Sequence, residues 1–415
     1  MYLKKVTYNY FLILFALIPV SIVLGSTISL INILLIDVSF VFLILKIRNF
    51  SFLKNDVIKY LFILYLYLIF NSLISIDIKS GIYRNLGFLR IIILFIAFNF
   101  FFNQKFFIDK LFKIWIVFFT IIVFDVYFEY LNGTNMLGFP DRNGKAVSYG
   151  LRIVSFFKDE PIVGGFINSF YLIIIGFLSN KYYFKYKNSF LLITIILLLA
   201  IFLTGERANT IKAFVGIFLF ISFFSYISKK IKIIFFTFSI LSVLILLFNS
   251  EYFKLRYITQ IKSSLNNQSQ YFNLYKSGFE VFKNHPLFGV GNKNYRVESC
   301  ENFNDSEDND EKYKNYLCTT HPHQIYFELL SEHGVIGTLI ILFIFYKIIF
   351  SKVFLVLRQD NYIQKGSMIF LLTTFLPLLP SGSFFNDYSI TIFGINLAIF
   401  YASNKNFNIF DKQIR

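Results

Sequence analysis

The sequence predicts an all-α membrane protein that crosses the bilayer many times. Hydrophobic residues make up 56% of its 415 residues and charged residues only 15%, and the mean hydropathy is +0.62. Soluble proteins average about 25% charged residues, so this deficit indicates many segments buried in lipid. Aromatic residues reach 21%, and most of them are phenylalanine. The composition excludes a disordered chain, a nucleic-acid-binding domain and a collagen-like fibre.

Twelve apolar segments account for the hydrophobic excess, and most approach the ~17–25 residues that cross a ~30 Å hydrocarbon core. The predicted spans are 10–24, 28–46, 60–75, 86–102, 111–131, 162–178, 188–204, 209–228, 231–249, 334–350, 366–380 and 385–403. The first lacks a small-residue cleavage site and leads directly into the second, so we expect no cleavable signal peptide. We therefore predict one integral membrane domain, 1–415, with a partly helical cap at 250–333 between the ninth and tenth spans.

The distribution of Lys and Arg predicts which side each loop faces. Beginning with the N-terminus, every second connection is basic, and together these connections hold more than half of the 40 Lys and Arg residues. The short loops on the other side contain only Lys79, Arg84 and Arg207. Because cytoplasmic loops are enriched in positive charge, we expect both termini in the cytoplasm. The net charge of +16 is then explained by topology and by attraction to anionic lipids, not by nucleic-acid binding.

The cap on the opposite side contains all four histidines and both cysteines. Cysteines confined to an outer loop fit an oxidising compartment. A Cys300–Cys318 bridge would add about 3 kcal/mol of chain-entropy stabilisation, and two free buried thiols are the alternative. The acidic run between them, 301–311, lacks the ordered Asp-x-Asp-x-Asn-Gly pattern of a calcium loop. We therefore interpret it as a solvated tip and predict no metal site.

Charged side chains inside the predicted spans are rare and costly, so each is a candidate functional residue. Asp37 lies near the middle of a span, whereas Arg90, Asp125 and Glu129 lie towards the outer ends. Asp125 and Glu129 are four residues apart and share one helical face. We expect a structural ion pair between Arg90 and Asp125. A proton-coupled transporter would instead place ionisable groups near the midplane.

Several stretches contain residues that can take part in chemistry. They read Tyr-Gly-Leu-Arg-Ile-Val-Ser-Phe-Phe-Lys-Asp-Glu-Pro-Ile-Val-Gly-Gly (149–165), Leu-Thr-Gly-Glu-Arg-Ala-Asn-Thr (203–210) and Thr-His-Pro-His-Gln-Ile-Tyr-Phe-Glu-Leu-Leu-Ser-Glu-His-Gly-Val-Ile-Gly (320–337). Together they resemble the O-antigen ligase and O-antigen polymerase superfamily of integral membrane glycosyltransferases, in the same order and over roughly residues 85–350. Each stretch alone is a weak signal, and the ordered set on a twelve-span plan is more specific.

The resemblance implies transmembrane helices around a lateral, lipid-accessible cavity, an architecture like that of GT-C glycosyltransferases. The donor would be an undecaprenyl-diphosphate-linked glycan, and the acceptor a hydroxyl group of lipid A-core or of a second lipid-linked glycan. Arg152 and Arg207 would bind the diphosphate, and His323 would be the essential histidine. The resemblance implies no cofactor, no metal and no nucleotide sugar. The family more often has Ser-Arg-Gly where this chain has Glu206-Arg207-Ala208, and Asn where it has Gln324.

These residue types also suit the transfer on chemical grounds. Arginine binds phosphate oxygens in a bidentate manner, and histidine, with an ordinary pKa near ~6.5, can accept the proton of the acceptor hydroxyl. An alternative stays open for each residue. Arg207 would otherwise snorkel to lipid headgroups, Arg152 would pair with Asp159 or Glu160, and His323 would be a satisfied interfacial histidine.

Further residues are candidates for a supporting role: Arg90, Asp125, Glu206, His321 and Glu332. We interpret His321 as structural more readily than as catalytic. Glu328 and Glu332 lie at i and i+4 of one helix. They would orient a histidine or hold an arginine, and packing or helix capping is the alternative.

The sequence therefore predicts an inverting, metal-independent glycosyltransferase at the periplasmic face of the bacterial inner membrane. We expect an O-antigen ligase. An O-antigen polymerase that uses the same donor is the first alternative, because the sequence does not reveal the acceptor, and a protein-glycosylating transferase is a smaller one. A transporter of lipid-linked glycans is the alternative from another class, since it would need no base. The expected partners are membrane lipids and the lipid-linked substrates, with no nucleic acid.

Overall fold

The computed structural model describes residues 5–104, 106–139, 152–158, 160–264, 270–304 and 318–410. Every regular element in these ranges is a helix, so the predicted all-α class is confirmed. The helices are α1 (Lys5–Ala16), α2 (Ile18–Leu24), α3 (Ser26–Ile47), α4 (Asp56–Leu73), α5 (Ile78–Gly87), α6 (Leu89–Phe102), α7 (Phe107–Asn132), α8 (Val163–Tyr182), α9 (Lys187–Leu203), α10 (Arg207–Ser222), α11 (Lys229–Asn249), α12 (Glu251–Lys254), α13 (Gln260–Ser264), α14 (Gln270–Asn284), α15 (Tyr295–Asn304), α16 (Ile325–Ile348), α17 (Val353–Leu357), α18 (Tyr362–Thr374) and α19 (Asp387–Ala402).

Eight helical segments in the described part of the chain are long and apolar enough to cross a membrane. They are Lys5–Leu24, Ser26–Ile47, Asp56–Leu73, Ile78–Phe102, Phe107–Asn132, Val163–Tyr182, Lys229–Asn249 and Ile325–Leu357. α9 and α19 are apolar but shorter. Each of the twelve predicted spans overlaps a helix, and the chain is a multi-pass membrane protein. The number twelve itself stays a prediction.

Short polar residues set where several helices begin. The side chain of Asn55 accepts a hydrogen bond from the Val57 amide at the start of α4, and Asn386 accepts one from Ser389 at the start of α19. Gln324 accepts bonds from the amides of the second and third residues of α16. Such caps satisfy amide groups that have no partner inside the helix. They fix the starts of α4, α16 and α19.

The centre of the bundle is the close packing of α8 against α18. A Cβ atom built on Gly176 would lie 2.2 Å from the carbonyl oxygen of Tyr362, and one built on Gly366 would lie 2.1 Å from that of Leu172. Only glycine permits this approach of two backbones, as small residues do in membrane helix pairs. By contrast, α11 lies at the periphery of the bundle. Only 11% of the residues in its most apolar stretch are buried, compared with 83% for α8.

A kink divides α16 at Gly334, whose φ of 63° is in the left-handed region. The kink leaves backbone groups of α16 without hydrogen-bond partners inside the helix. The segment 286–291 lies against the kink and supplies partners for these groups. The amides of Val290 and Gly291 donate to the carbonyl oxygens of Ser331 and Glu332, each at 2.9 Å, and the amide of Val335 donates to Pro286 at 2.8 Å. The cap is therefore joined to α16 by main-chain hydrogen bonds.

The predicted ion pair between Arg90 and Asp125 is wrong. Arg90 instead pairs with Asp387, with 2.6 Å between Nη2 and Oδ1, because the start of α19 packs beside α6. Asp125 accepts hydrogen bonds from the Ser155 hydroxyl at 2.6 Å and the Met136 amide at 2.8 Å. Hydrogen-bond donors from the segment after α7 therefore contact the Asp125 carboxylate, where the arginine was predicted.

Cys300 and Cys318 form a disulfide, with their Cα atoms 4.5 Å apart, which answers the question that the sequence left open. The bridge connects α15 to the segment that leads to His321. The side chains of the acidic run 301–311 lie outside the described residues.

Candidate active site

The turn between α9 and α10 forms the first part of the candidate site. Gly205 has a φ of 71°, which lets the chain reverse within three residues and begin α10 at Arg207. A side chain at position 205 would also meet Tyr252, since a Cβ there would lie 2.6 Å from its hydroxyl oxygen. The reversal places Arg207 at the helix N-terminus, where backbone amides add partial positive charge.

Arg256 reaches this turn from the cap, and the sequence analysis missed it. It lies in a π-helical turn, Leu255–Thr259. Its Nη2 donates to the carbonyl oxygen of Gly205 at 2.9 Å, and its Nη1 donates to Gln260 Oε1 at 2.6 Å. The residue is 5% exposed, and no described residue is hydrogen-bonded to its buried Nε. The one sequence signal for it is an arginine that closely follows a predicted outer span end.

Arg152 and Arg207 both lie close to Arg256. Burial lowers the pKa of Arg256, and the nearby charges of Arg152 and Arg207 lower it further. Arg152 Nε is also buried and has no hydrogen-bond partner among the residues that the structure describes. We call these three residues the arginine cluster. Positive charges that lie close together repel one another. The arrangement therefore favours binding of an anion, which would offset this repulsion.

The acidic residues of α7 position Arg152. Glu129 accepts hydrogen bonds from the amides of Val154, at 3.0 Å, and Ser155, at 2.6 Å, and Asp125 accepts one from the Ser155 hydroxyl. Both carboxylates are buried. They therefore fix the backbone that follows Arg152, which is a supporting role for Asp125 different from the predicted ion pair.

Glu206 lies beside the arginine cluster, immediately before Arg207 in the chain. Its carboxylate accepts hydrogen bonds from the amides of Gly164, at 2.5 Å, and Gly165, at 3.1 Å, and from Asn209 Nδ2 at 2.7 Å. Burial raises the pKa of Glu206 to about 7, although these bonds and the charge of Arg152 oppose the rise. Glu206 is thus a buried carboxylate on which the charge of Arg152 acts. Of the predicted alternatives, Glu160 is exposed and Asp159 lies outside the described residues.

His323 and His321 form a second group on the loop before α16. Their ring centroids are 4.1 Å apart, and the carbonyl oxygen of His323 accepts a hydrogen bond from the Ser381 amide at 2.9 Å. His323 has a φ of 53°, which is strained for a residue with a side chain. In the described part of the chain, no residue is hydrogen-bonded to the imidazole of His323.

Both imidazoles are neutral at physiological pH. Burial lowers the pKa of His323 to about 4, and His321 lowers it too, whereas Glu328 raises it. The pKa of His321 is also lowered to about 4, first by burial and then by the charge of Lys293. A neutral imidazole can accept a proton, which is the state that a general base requires.

Glu332 lies away from both groups of predicted residues. It is buried in α16, close to Lys293 and to the backbone of Tyr295. Within the described ranges, neither the arginine cluster nor the imidazole of His323 contacts it. No group of three or more His, Cys, Asp or Glu in these ranges is arranged to hold a metal ion.

The connection 375–386 and the start of α19 lie between the arginine cluster and His323. Ser381 contacts His323, and Tyr388 lies within electrostatic range of Glu206. A cavity of about 320 Å³ opens beside this connection, between α2, α3 and α19, and its lining includes Arg90, Asp387 and Tyr388. No direct contact among the described residues joins His323 to an arginine of the cluster.

Residues 192–342 match the family model described as O-antigen ligase. The matched segment includes Arg207, Arg256 and His323, and it ends within α16. Arg152 lies before it. None of the curated proteins compared with the chain matches it.

Proposed function

Because residues 192–342 match the O-antigen ligase family model, we propose that the chain transfers a glycan from undecaprenyl diphosphate to an acceptor hydroxyl. The observation that carries this proposal is the convergence of Arg152, Arg207 and Arg256 at one end of the helix bundle. The three guanidinium groups interact electrostatically, and Glu206 offsets part of the charge of Arg152. A lipid diphosphate is a ligand with the complementary charge.

The arginine cluster would stabilise the leaving group. As the bond between the anomeric carbon and the phosphate oxygen breaks, negative charge grows on the diphosphate. Preorganised donors in a site with little water typically stabilise such charge by several kcal/mol each. The Nε atoms of Arg152 and Arg256 have no hydrogen-bond partner in the described ranges, and they are suited to this role.

His323 would act as the general base. The acceptor oxygen forms the new bond to the anomeric carbon, its proton passes to the imidazole, and undecaprenyl diphosphate leaves with the electron pair of the broken bond. Attack from the face opposite the leaving group inverts the linkage. The low pKa of His323 makes it a weak base in the free protein. The negative diphosphate would raise that pKa when the donor binds.

The same proposal assigns the site to the periplasmic face of the inner membrane. The basic connections alternate along the chain, and by the positive-inside rule they place the cap outside the cytoplasm. The Cys300–Cys318 disulfide fits an oxidising compartment. We propose lipid A-core as the acceptor.

The experiment uses the purified protein with a synthetic undecaprenyl-diphosphate oligosaccharide and lipid A-core. Transfer predicts release of undecaprenyl diphosphate together with glycan-linked lipid A-core, and His323→Ala and Arg207→Ala should abolish both products. Arg296→Ala, at an exposed position of the cap, is the matched control and should retain activity. Movement of the intact donor across the membrane without bond cleavage would show a transporter instead.

A further inference from the structure

A hydrogen-bonded network that includes two charged residues lies close to His323 and has no part in the mechanism above. Lys293 donates a hydrogen bond from Nζ to the Ser383 hydroxyl, and that hydroxyl donates to Glu328 Oε1 at 2.5 Å. We call these three residues the Lys293 network. It joins the cap, α16 and the connection before α19, which are far apart in the sequence.

Glu328 is the buried end of this network. Besides the Ser383 hydroxyl, it accepts the amide of Phe384 at 2.9 Å on Oε2 and 3.1 Å on Oε1. Its side chain is fully buried. A carboxylate in that environment is costly unless donors and a cation surround it, and Lys293 is the cation.

Lys293 occupies its position at a conformational cost. Its φ of 67° lies in the left-handed region, which is unfavourable for a residue with a side chain. The neighbouring Asn292 fixes this geometry, because its amide donates to Asn71 Oδ1 at 2.8 Å. The backbone is thus held so that the ammonium group points towards Ser383.

The Lys293 network reaches His323 in two ways. Glu328 accepts bonds from Ser383 and Phe384, and His323 accepts one from Ser381. Residues 381–384 therefore bind His323 at one end and Glu328 at the other. Glu328 also acts on the imidazole of His323 through its charge.

The other titratable groups around His323 are few in the described part of the chain. His321 lies beside it on its own loop, and Lys293 faces His321 from the cap. Glu332 and His333 on α16 and Asp387 at the start of α19 surround Lys293. Glu328 is the negative group, among these, whose charge acts on the His323 imidazole.

We propose that Lys293 and Glu328, joined through the Ser383 hydroxyl, position His323 and set the charge that its imidazole experiences. Lys293 and Glu328 are positioning residues, since neither is placed against the reacting atoms. The proposal rests on the proposed function, because it assumes that His323 is the base. Lys293 neutralises part of the Glu328 charge, so the two residues act on the basicity of His323 with opposite signs.

The test measures kcat between about pH 4 and pH 8, where the acid limb reports the base in the enzyme–substrate complex, whose pKa the bound diphosphate raises. The probe is a synthetic undecaprenyl-diphosphate oligosaccharide with lipid A-core. Glu328→Gln should move the acid limb to lower pH by about one unit and lower kcat about 10-fold. Lys293→Gln should move the limb to higher pH by about one unit, because the Glu328 charge is then unopposed. Lys293→Arg should restore the wild-type limb.

Two further variants keep the test decisive. Ser383→Ala removes the connecting hydroxyl but no charge, so it should lower kcat and leave KM unchanged. Lys276→Gln removes an exposed lysine of α14 that lies 3.9 Å from Glu280, and it should change neither the limb nor kcat. The inference would be overturned if the acid limbs of Glu328→Gln and Lys293→Gln coincide with that of wild type. It would also be overturned if the two limbs move in the same direction. A wild-type protein without transferase activity, or a fully active His323→Ala variant, would refute the proposed function first.

Discussion

Arg256 Nη2 donates a hydrogen bond to the carbonyl oxygen of Gly205 at 2.9 Å, although the two residues are 51 positions apart. This bond attaches the cap to the turn between α9 and α10. Because Arg207 begins α10 two residues after Gly205, the bond also fixes the spacing of two members of the arginine cluster. The cluster is therefore assembled by the cap and the bundle together.

Arg256→Ala should lower transferase activity about 100-fold, the loss typical of removing one charge-stabilising donor. Arg256→Lys should restore only part of it, because an ammonium group lacks the planar fork that binds phosphate in a bidentate manner. The release of undecaprenyl diphosphate measures both effects. Arg296→Ala, which changes an exposed arginine of the cap, is the control. Full activity in Arg256→Ala, with normal membrane abundance, would exclude Arg256 from the site.

The pKa of Glu206, raised to about 7 by burial, predicts that donor affinity depends on pH. Above that pKa the carboxylate is charged and offsets Arg152, and below it the neutral acid leaves the cluster more positive. Undecaprenyl diphosphate should therefore bind more tightly at about pH 6 than at about pH 8, by up to roughly 10-fold. The Kd at the two pH values is the measurement.

Glu206→Gln separates this effect from titration of the diphosphate itself. The glutamine is neutral at both pH values, so the variant should bind as tightly at the higher pH as wild type does at the lower one, apart from the change due to the ligand. Weaker binding by Glu206→Gln at both pH values, in a folded protein, would contradict the assignment.

The Cys300–Cys318 disulfide should stabilise the loop that carries His323. Cys318 lies only five residues before His323, and closing a loop of this size contributes about 3 kcal/mol in the chain-entropy model. We expect the double variant Cys300→Ser, Cys318→Ser to show faster hydrogen exchange at residues 319–324 and lower activity. A reductant should reproduce both changes in wild type and have no effect on the double variant. Unchanged exchange in the double variant would refute the role.

Gly334→Ala should destabilise the protein by separating α16 from the cap. A Cβ at this position would lie 2.3 Å from the carbonyl carbon of Leu287, and the φ of 63° is itself unfavourable for alanine. We expect a lower thermal midpoint and loss of activity. Gly382→Ala is the control, since the nearest atom to a Cβ there is 3.8 Å away. Equal thermal midpoints for the two variants would contradict the importance of the kink.

The sequence predicted the features that follow from local composition. Apolar runs predict membrane helices because the bilayer requires hydrogen-bonded backbone and apolar side chains, and every predicted span overlaps a helix. The resemblance to a known family indicated Arg152, Arg207 and His323, and the chemistry of these residue types suits a lipid diphosphate and a proton acceptor. Arg256 closely follows a predicted outer span end, which is a weak local signal, and no local feature distinguished Lys293 from the other basic residues of the chain.

The amino-acid sequence by itself determined the all-helical membrane class, the cap with its cysteines and the residue types of the site. The tertiary structure alone decided which charges meet. It paired Arg90 with Asp387 instead of Asp125, brought Arg256 to Gly205 and joined Lys293 to Glu328 through Ser383. The physical reason is that the energy of a charge pair depends on separation and burial, and both are set by helices that pack together from distant parts of the chain.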